Sequence, residues 1–256
     1  MAYAVCCVPV SPLRATDSHR AEMVSQLLLG EAGEVLESAK DFTRIRCLHD
    51  GYEGWIQSGQ VVVADELPPG FNDALYTCDW TSKILINDAL ANISMGTPVP
   101  SATNTGLQIG PYHIQYGSIN TRKASGEIPD ASFVTEMAFR LLNTSYVWGG
   151  RSVFGTDCSG FTQLVYRFFK ISLPRDAYLQ ARQGEAIGFL QEVKCGDLAF
   201  FDNAEGKIIH VGILLNDHEI IHAAGKVRVD RIDNEGIFNR DINQRTHRLR
   251  VIRRYF

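Results

Sequence analysis

A chain of 256 residues with 45% hydrophobic and 21% charged side chains has the balance of a folded globular protein, long enough for one large or two to three small domains. Its formal net charge of −4, with no run of five like charges, supplies no basic field, so no nucleic-acid partner is expected. No stretch approaches the roughly 18 consecutive apolar residues of a membrane span, and no membrane partner is expected either.

The N-terminus, Met-Ala-Tyr-Ala-Val-Cys-Cys-Val-Pro-Val, lacks a positive region and a small-residue cleavage site, and reads as a first strand. Six cysteines fall at positions 6, 7, 47, 78, 158 and 195, with no Cys-x-x-Cys pair. Neither a zinc cage nor a disulfide framework is indicated, and no metal or cofactor is expected. A reducing cytoplasm fits this usage, with export after removal of a signal peptide as the alternative. The oligomeric state has no signal in the sequence.

From Tyr3 to about Asp65, short strands are predicted at Tyr3–Val8, Met23–Leu29, Glu34–Glu37, Phe42–Cys47 and Gly54–Ile56. Five strands in so short a span suggest a small barrel. With its turn Gly51-Tyr52-Glu53-Gly54-Trp55, the segment is similar to bacterial SH3-like domains. Leu67-Pro-Pro-Gly70 reads as a boundary. Beyond it, short extended stretches at Ile84–Ile86, Val99, Leu107–Ile109 and Tyr112–Tyr116 predict a second, degenerate SH3-like barrel. The expected domains are therefore 1–66, 67–126 and 127–256.

Ala131–Asn143 carries Phe133, Val134, Met137, Ala138, Leu141 and Leu142 at helical spacing. The central stretch follows, Tyr146-Val-Trp-Gly-Gly-Arg-Ser-Val-Phe-Gly-Thr-Asp-Cys-Ser-Gly-Phe161. Thr156 and Asp157 are N-cap residue types, and Phe161, Leu164, Val165, Phe168 and Phe169 then make one apolar face, so Cys158 falls in the first turn of a helix. A helix N-terminus favours a thiolate, which predicts a lowered thiol pKa and a nucleophile. Leu173–Gln180 predicts a turn into a short helix with Asp176 near its start. Strands are then predicted at Gly196–Phe201, Ile208–Leu215, Glu219–Ala223 and Arg248–Arg253. Helices followed by an antiparallel sheet make an α+β domain.

A cysteine nucleophile needs a base and a polar group to orient that base. Along Ile209–Leu215 the alternate residues Ile209, Val211, Ile213 and Leu215 are bulky, which puts His210 on the opposite face with Gly212. A three-residue loop at Asn216-Asp217-His218 pairs Gly212 with His222 and sets His210 and His222 diagonally on one face. His19, His49, His113, His218 and His247 read as ordinary surface residues.

With its Tyr-x-Trp-Gly-Gly and Asp-Cys-Ser-Gly motifs, the region from Ala131 to Phe256 resembles the NlpC-type family of papain-like cysteine peptidases that cut bacterial cell-wall peptides. The resemblance implies a papain-like catalytic domain preceded by one or two SH3-like barrels. It assigns Cys158 as nucleophile, His210 as base and then acid, His222 as the ring-orienting residue, and Tyr146 to the oxyanion or substrate pocket.

The subfamily with N-terminal SH3-like domains hydrolyses the bond between γ-linked D-glutamate and a diamino acid, in murein-derived peptides with a free N-terminal L-alanine. On that pattern Asp157 and Ser159 contact the peptide, while Asp176 and Tyr52 lie at the amine. The expected acid two residues before Gln26 is absent. Val24 stands there, and Glu22, two residues further along the strand, is expected to substitute from the same face. The alternatives are a broader cell-wall endopeptidase, an amidase or acyltransferase, or a non-catalytic SH3-like peptide-binding protein.

Overall fold

The computed structural model describes residues 1–101, 106–126 and 130–256. The expected start of the last domain at residue 127 lies outside the described residues. Contacts divide the chain into two compact units: Met1–Ser125 with Trp148–Phe154, and Gly126–Val147 with Gly155–Phe256.

The first unit opens with a seven-stranded antiparallel sheet in the order Met23–Leu28, Val10–Arg14, Glu53–Gln57, Phe42–Cys47, Ala32–Ser38, Tyr3–Cys6 and Val61–Ala64. Two of these strands are additions to the five that were expected. Val10–Arg14 was masked by Pro12, which pairs with Gln26 while Ser11 and Leu13 on either side are buried. Proline is compatible with a strand wherever its missing N–H is not needed by a neighbour. Val61–Ala64 pairs with Tyr3–Cys6. The sheet wraps a core of Ala4, Leu13, Leu27, Ile45, Ile56 and Val61.

The second β segment forms two small sheets. One has the order Ala89–Ser94, Thr81–Ile86, Tyr112–Gln115 and Leu107–Ile109; the other has Pro98–Pro100, Ala74–Thr77 and Thr121–Lys123. Three of these strands, Ala74–Thr77, Ala89–Ser94 and Thr121–Lys123, were not expected. The Thr81–Ser94 hairpin turns on Asn87 and Asp88, both at positive φ (48° and 64°), the two-residue turn whose twist matches that of the flanking strands. Val5, Cys7, Leu29 and Ala32 of the first sheet share one core with Ile84, Ile93, Leu107, Ile109 and Ile114, so the two β segments are packed as one body.

Arg151, only 1% exposed, ties Trp148–Phe154 into this unit. It pairs with the buried carboxylate of Glu31, and its Nε and Nη2 donate to the Gln26 carbonyl at 3.2 and 3.0 Å. Cys47, His49 and Asp50 also converge here, with metal-ligand atoms all within 4.8 Å of one another. Burial holds the Cys47 thiol well above its ordinary pKa, and Asp50 already accepts from the Tyr52 N–H and lies 3.1 Å from His49 Nε2. The group therefore reads as a packed turn.

The second unit places three helices against an antiparallel sheet. Helix α1 (Ala131–Arg140) is capped by Asp130, which accepts from Ser132 N at 3.1 Å, and buries Phe133, Val134, Met137 and Ala138. Helices α2 (Cys158–Tyr166) and α3 (Ala177–Gln180) follow. Phe133 meets Phe168 and Phe169 edge-on, with centroids 5.9 and 5.6 Å apart, which joins α1 to the turn after α2.

The sheet order is Glu185–Ile187, Gln244–Arg254, Leu198–Asp202, Ile208–Leu214, Glu219–Ala224, Lys226–Asp233 and Gly236–Asn239. The long Gln244–Arg254 strand pairs again with Gly236–Asn239, so six strands close on themselves. The strands Lys226–Asp233 and Gly236–Asn239 were not among those expected, and the first of them matters for the chemistry below. No helix among the described residues is long and apolar enough to cross a membrane.

Candidate active site

Cys158 is the first residue of α2 and 7% exposed. Asp157 has extended φ/ψ and its Oδ1 accepts from Gly160 N at 2.8 Å, an N-cap that fixes where the helix begins. Helix α2 packs on the Ile208–Leu214 strand. The Val211 backbone, next to His210 in sequence, is near enough to the Cys158 sulfur to lower its pKa.

The histidine pair stands where the hairpin arithmetic puts it. Leu215 N donates to Glu219 O at 3.0 Å across the three-residue loop, and Gly212 pairs with His222. His210 Nε2 and His222 Nδ1 are 2.9 Å apart, with ring planes at 83°. Gly212 makes this possible, because a Cβ there would sit 2.8 Å from His222 Cβ and from Ile220 Cδ1.

The next strand continues the row. His222 pairs with Arg228, so Arg228 and, two residues on, Asp230 share its face. His222 Nε2 is 3.1 Å from Asp230 Oδ2. Arg228 grips the same carboxylate with Nε at 2.6 Å and Nη2 at 2.9 Å, and Arg240 N donates to it at 3.1 Å. Asp230, fully buried, and Arg228 went unrecognised in the sequence, although Lys-Val-Arg-Val-Asp-Arg-Ile-Asp carries a period-two strand signal. His247 also departs from expectation. It is half-buried and stacks on His210 at 4.2 Å with planes 29° apart.

The charge state of the nucleophile differs from the expected thiolate. Burial, with Asp157 adding to it, pushes the Cys158 thiol up to about 12, against smaller lowering effects from the Val211 and Ser159 backbone and Arg175. Burial also drives His210 well below its ordinary value, and its neighbours His222 and His247 act in the same direction. His222 is lowered by burial, with Asp230 opposing, and His247 is lowered to about 4 by burial. The helix N-terminus is thus outweighed by burial of the sulfur, and the pair rests as thiol and imidazole.

Tyr146 lies beside the nucleophile: burial and the nearby Cys158 and Asp157 raise its phenol, with Arg175 opposing. Asp157 and Ser159, expected to touch the peptide, both bond to buried Arg175, which sequence reasoning missed. Its Nη1 donates to Asp157 Oδ1 at 3.0 Å and Ser159 Oγ at 2.9 Å, and its Nη2 to Asp157 Oδ2 at 2.5 Å. These contacts hold the N-terminus of α2.

Arg175→Met is expected to destabilise the protein by about 3 to 5 kcal/mol, because it removes the charged partner of a buried carboxylate. Urea unfolding of the variant checks this; a loss below about 1 kcal/mol would show that Asp157 does not depend on the pair.

Asp176 occupies the N-cap position of α3, half-buried. Tyr52 and Glu22 lie in the first unit. Tyr52 packs against the first sheet's core. Glu22 precedes the Met23–Leu28 strand, and the register slips at Leu13/Arg14, where Ser25 and Met23 are the successive partners and Val24 is left out. The alternation that was to bring Glu22 onto the face of Val24 therefore fails at a bulge. The Glu22 carboxylate accepts from Trp148 Nε1 at 2.5 Å.

A buried thiol at a helix N-terminus beside a row of two imidazoles and a carboxylate is the equipment of a cysteine peptidase. Residues 143–246 match the NlpC/P60 family, and residues 13–61 match the bacterial dipeptidyl-peptidase SH3 domain. A γ-D-glutamyl-L-lysine dipeptidyl-peptidase of Bacillus cereus is 28% identical over 237 residues, covering 81% of this chain and 68% of the relative. A Haemophilus influenzae protein named as a probable endopeptidase is 34% identical over 110 residues, covering 42% of this chain and 68% of the relative. In fold, the chain is similar to the crystal structure of an NlpC/P60 family protein from Bacillus cereus, with a TM-score of 0.80, 21% identity and 99% of each chain covered. The matched residues include Cys158, His210 and His222, and on this footing the chain belongs to the NlpC/P60 family of cysteine peptidases.

Proposed function

We propose that the protein removes a dipeptide from cell-wall peptides by hydrolysing the bond between γ-D-glutamate and a diamino acid, with a free N-terminal L-alanine required. The observation that carries this reading is the pairing of an intact Cys158–His210–His222 row with a dipeptidyl-peptidase SH3 domain in one chain. The similarity to a γ-D-glutamyl-L-lysine dipeptidyl-peptidase supports the bond that is cut. Recycling of small murein peptides is the setting, and six free cysteines favour a reducing cytoplasm for it.

The mechanism follows from the resting charges. As the Cys158 sulfur bonds to the scissile carbonyl carbon, its proton passes to His210 and the carbonyl electron pair moves to oxygen. Backbone N–H groups at the start of α2 stabilise the oxyanion, with Tyr146 lining the same pocket. Collapse breaks the C–N bond, and His210 returns the proton to the leaving amine. Water then resolves the thioester with His210 again as base, releasing the dipeptide acid and restoring the thiol. We assign Asp176 to the substrate's terminal ammonium; Asp157 and Ser159 hold the helix start.

The test is kcat/KM on L-Ala-γ-D-Glu-L-Lys with a free or an N-acetylated amine. Acetylation removes the positive charge, and the capped peptide is expected to be cut at least about a hundredfold more slowly. Equal rates would support a broader cell-wall endopeptidase with no N-terminal requirement.

A further inference from the structure

We propose that Asp230 is a positioning residue that sets which nitrogen of each active-site histidine carries its proton, and so leaves His210 Nδ1 free to act as the base. Asp230 is fully buried, and its two oxygens face Arg228 Nε and Nη2, Arg240 N and His222 Nε2. Burial raises its carboxyl pKa, but the bonds from His222, Arg228 and Arg240 outweigh burial and hold it well below the ordinary value. A carboxylate in that state only accepts. At 3.1 Å, His222 Nε2 must therefore be the donor.

Burial keeps His222 neutral, and a neutral imidazole carries a single N–H, so its Nδ1 holds a lone pair. The 2.9 Å contact from that Nδ1 to His210 Nε2 needs one proton between them, and only His210 can supply it. His210 is likewise neutral, so its own lone pair falls on Nδ1. One carboxylate thus orders two rings in series. The other groups facing the row do not compete: Arg228 is committed to Asp230, and His247 presents its stacked face to His210.

If the order were reversed, His222 would donate from Nδ1, His210 Nε2 would accept, and His210 Nδ1 would carry the proton. The ring could then take nothing from Cys158. Asparagine at 230 permits this reversal, because its amide can donate to His222 Nε2.

The inference rests on Cys158 and His210 as the reacting pair. Its test is the 15N spectrum of the imidazoles in the full chain without substrate, assigned by comparison with His210→Ala and His222→Ala. Protonated Nε2 and bare Nδ1 on both rings are expected in the wild type, and a protonated Nδ1 on either ring overturns the proposal. In Asp230→Asn, His222 is expected to shift toward protonated Nδ1, with kcat down by about a hundredfold or more and KM changed less than about threefold, by analogy with the wrong-tautomer variants of serine triads. Lost kcat with unaltered tautomers would mean a purely structural role and would also overturn it. Should that variant fail to fold, the wild-type spectrum decides alone. Because the spectrum is read without substrate, wrong tautomers fail this proposal only, whereas a wild type that cuts no peptide fails the peptidase reading only.

Discussion

Cys158→Ala is expected to abolish peptide hydrolysis, with kcat falling on the order of 10⁵- to 10⁶-fold, as for other enzymes that lose a covalent nucleophile. The same change should leave stability within about 1 kcal/mol, since it replaces one sulfur with hydrogen at a helix start whose cap lies on Asp157 and Arg175. Substrate affinity should survive as well, because the Cys158 side chain supplies the reacting atom and no ionic contact. The measurements are single-turnover hydrolysis, a melting curve and a binding isotherm on one preparation. Hydrolysis that persists would remove Cys158 from the mechanism, whereas joint loss of folding and activity would assign it a packing role.

The second large effect is expected at the histidines, and it is unequal. His210→Ala should cost about 10⁴-fold or more in kcat, since a thiol that rests protonated loses the base assigned to receive its proton. His222→Ala should cost less, about 10- to 10³-fold, because water can occupy part of the space between His210 and Asp230 and mediate the same hydrogen bonds. Its effect on stability should be the larger of the two, about 1 to 3 kcal/mol, since it takes a buried hydrogen-bond partner from Asp230. Comparing kcat and urea unfolding across the two variants checks both orders. Equal residual rates would make the two rings interchangeable in role, contrary to the row described here.

The features that sequence reasoning found are those written in consecutive residues. Asp157 and Cys158 are adjacent to the apolar stripe they precede, and Gly212 lies a fixed number of steps from His222 around a three-residue loop. The features it missed depend on partners distant in the chain. Asp230 gains its meaning from cross-strand pairing of His222 with Arg228, and without that register nothing local ties Lys226–Asp233 to the histidines. Arg175 looked like a turn residue because nothing local shows that its guanidinium ends on Asp157.

The thiol's state was misjudged for a related reason. The helix N-terminus is visible in the sequence, but the side chains that exclude water from the sulfur come from elsewhere in the chain, and their effect is the larger. In the β unit, Pro12 lies inside a strand and Asn87–Asp88 turn a hairpin, and the Val10–Arg14 and Ala89–Ser94 strands were not expected. The bulge opposite Arg14 shows the converse, since it interrupts an alternation that the sequence reads as unbroken from Val24 to Glu22.

The central claim is that a thiol at the start of α2, served by His210, cuts after γ-D-glutamate and releases a dipeptide. Mass spectrometry of L-Ala-γ-D-Glu-L-Lys-D-Ala digested by wild type and by Cys158→Ala tests it most directly. The account predicts L-Ala-D-Glu and L-Lys-D-Ala as the products of the wild type, and intact tetrapeptide with the variant. Cleavage at another bond, or the same products from Cys158→Ala, would contradict it.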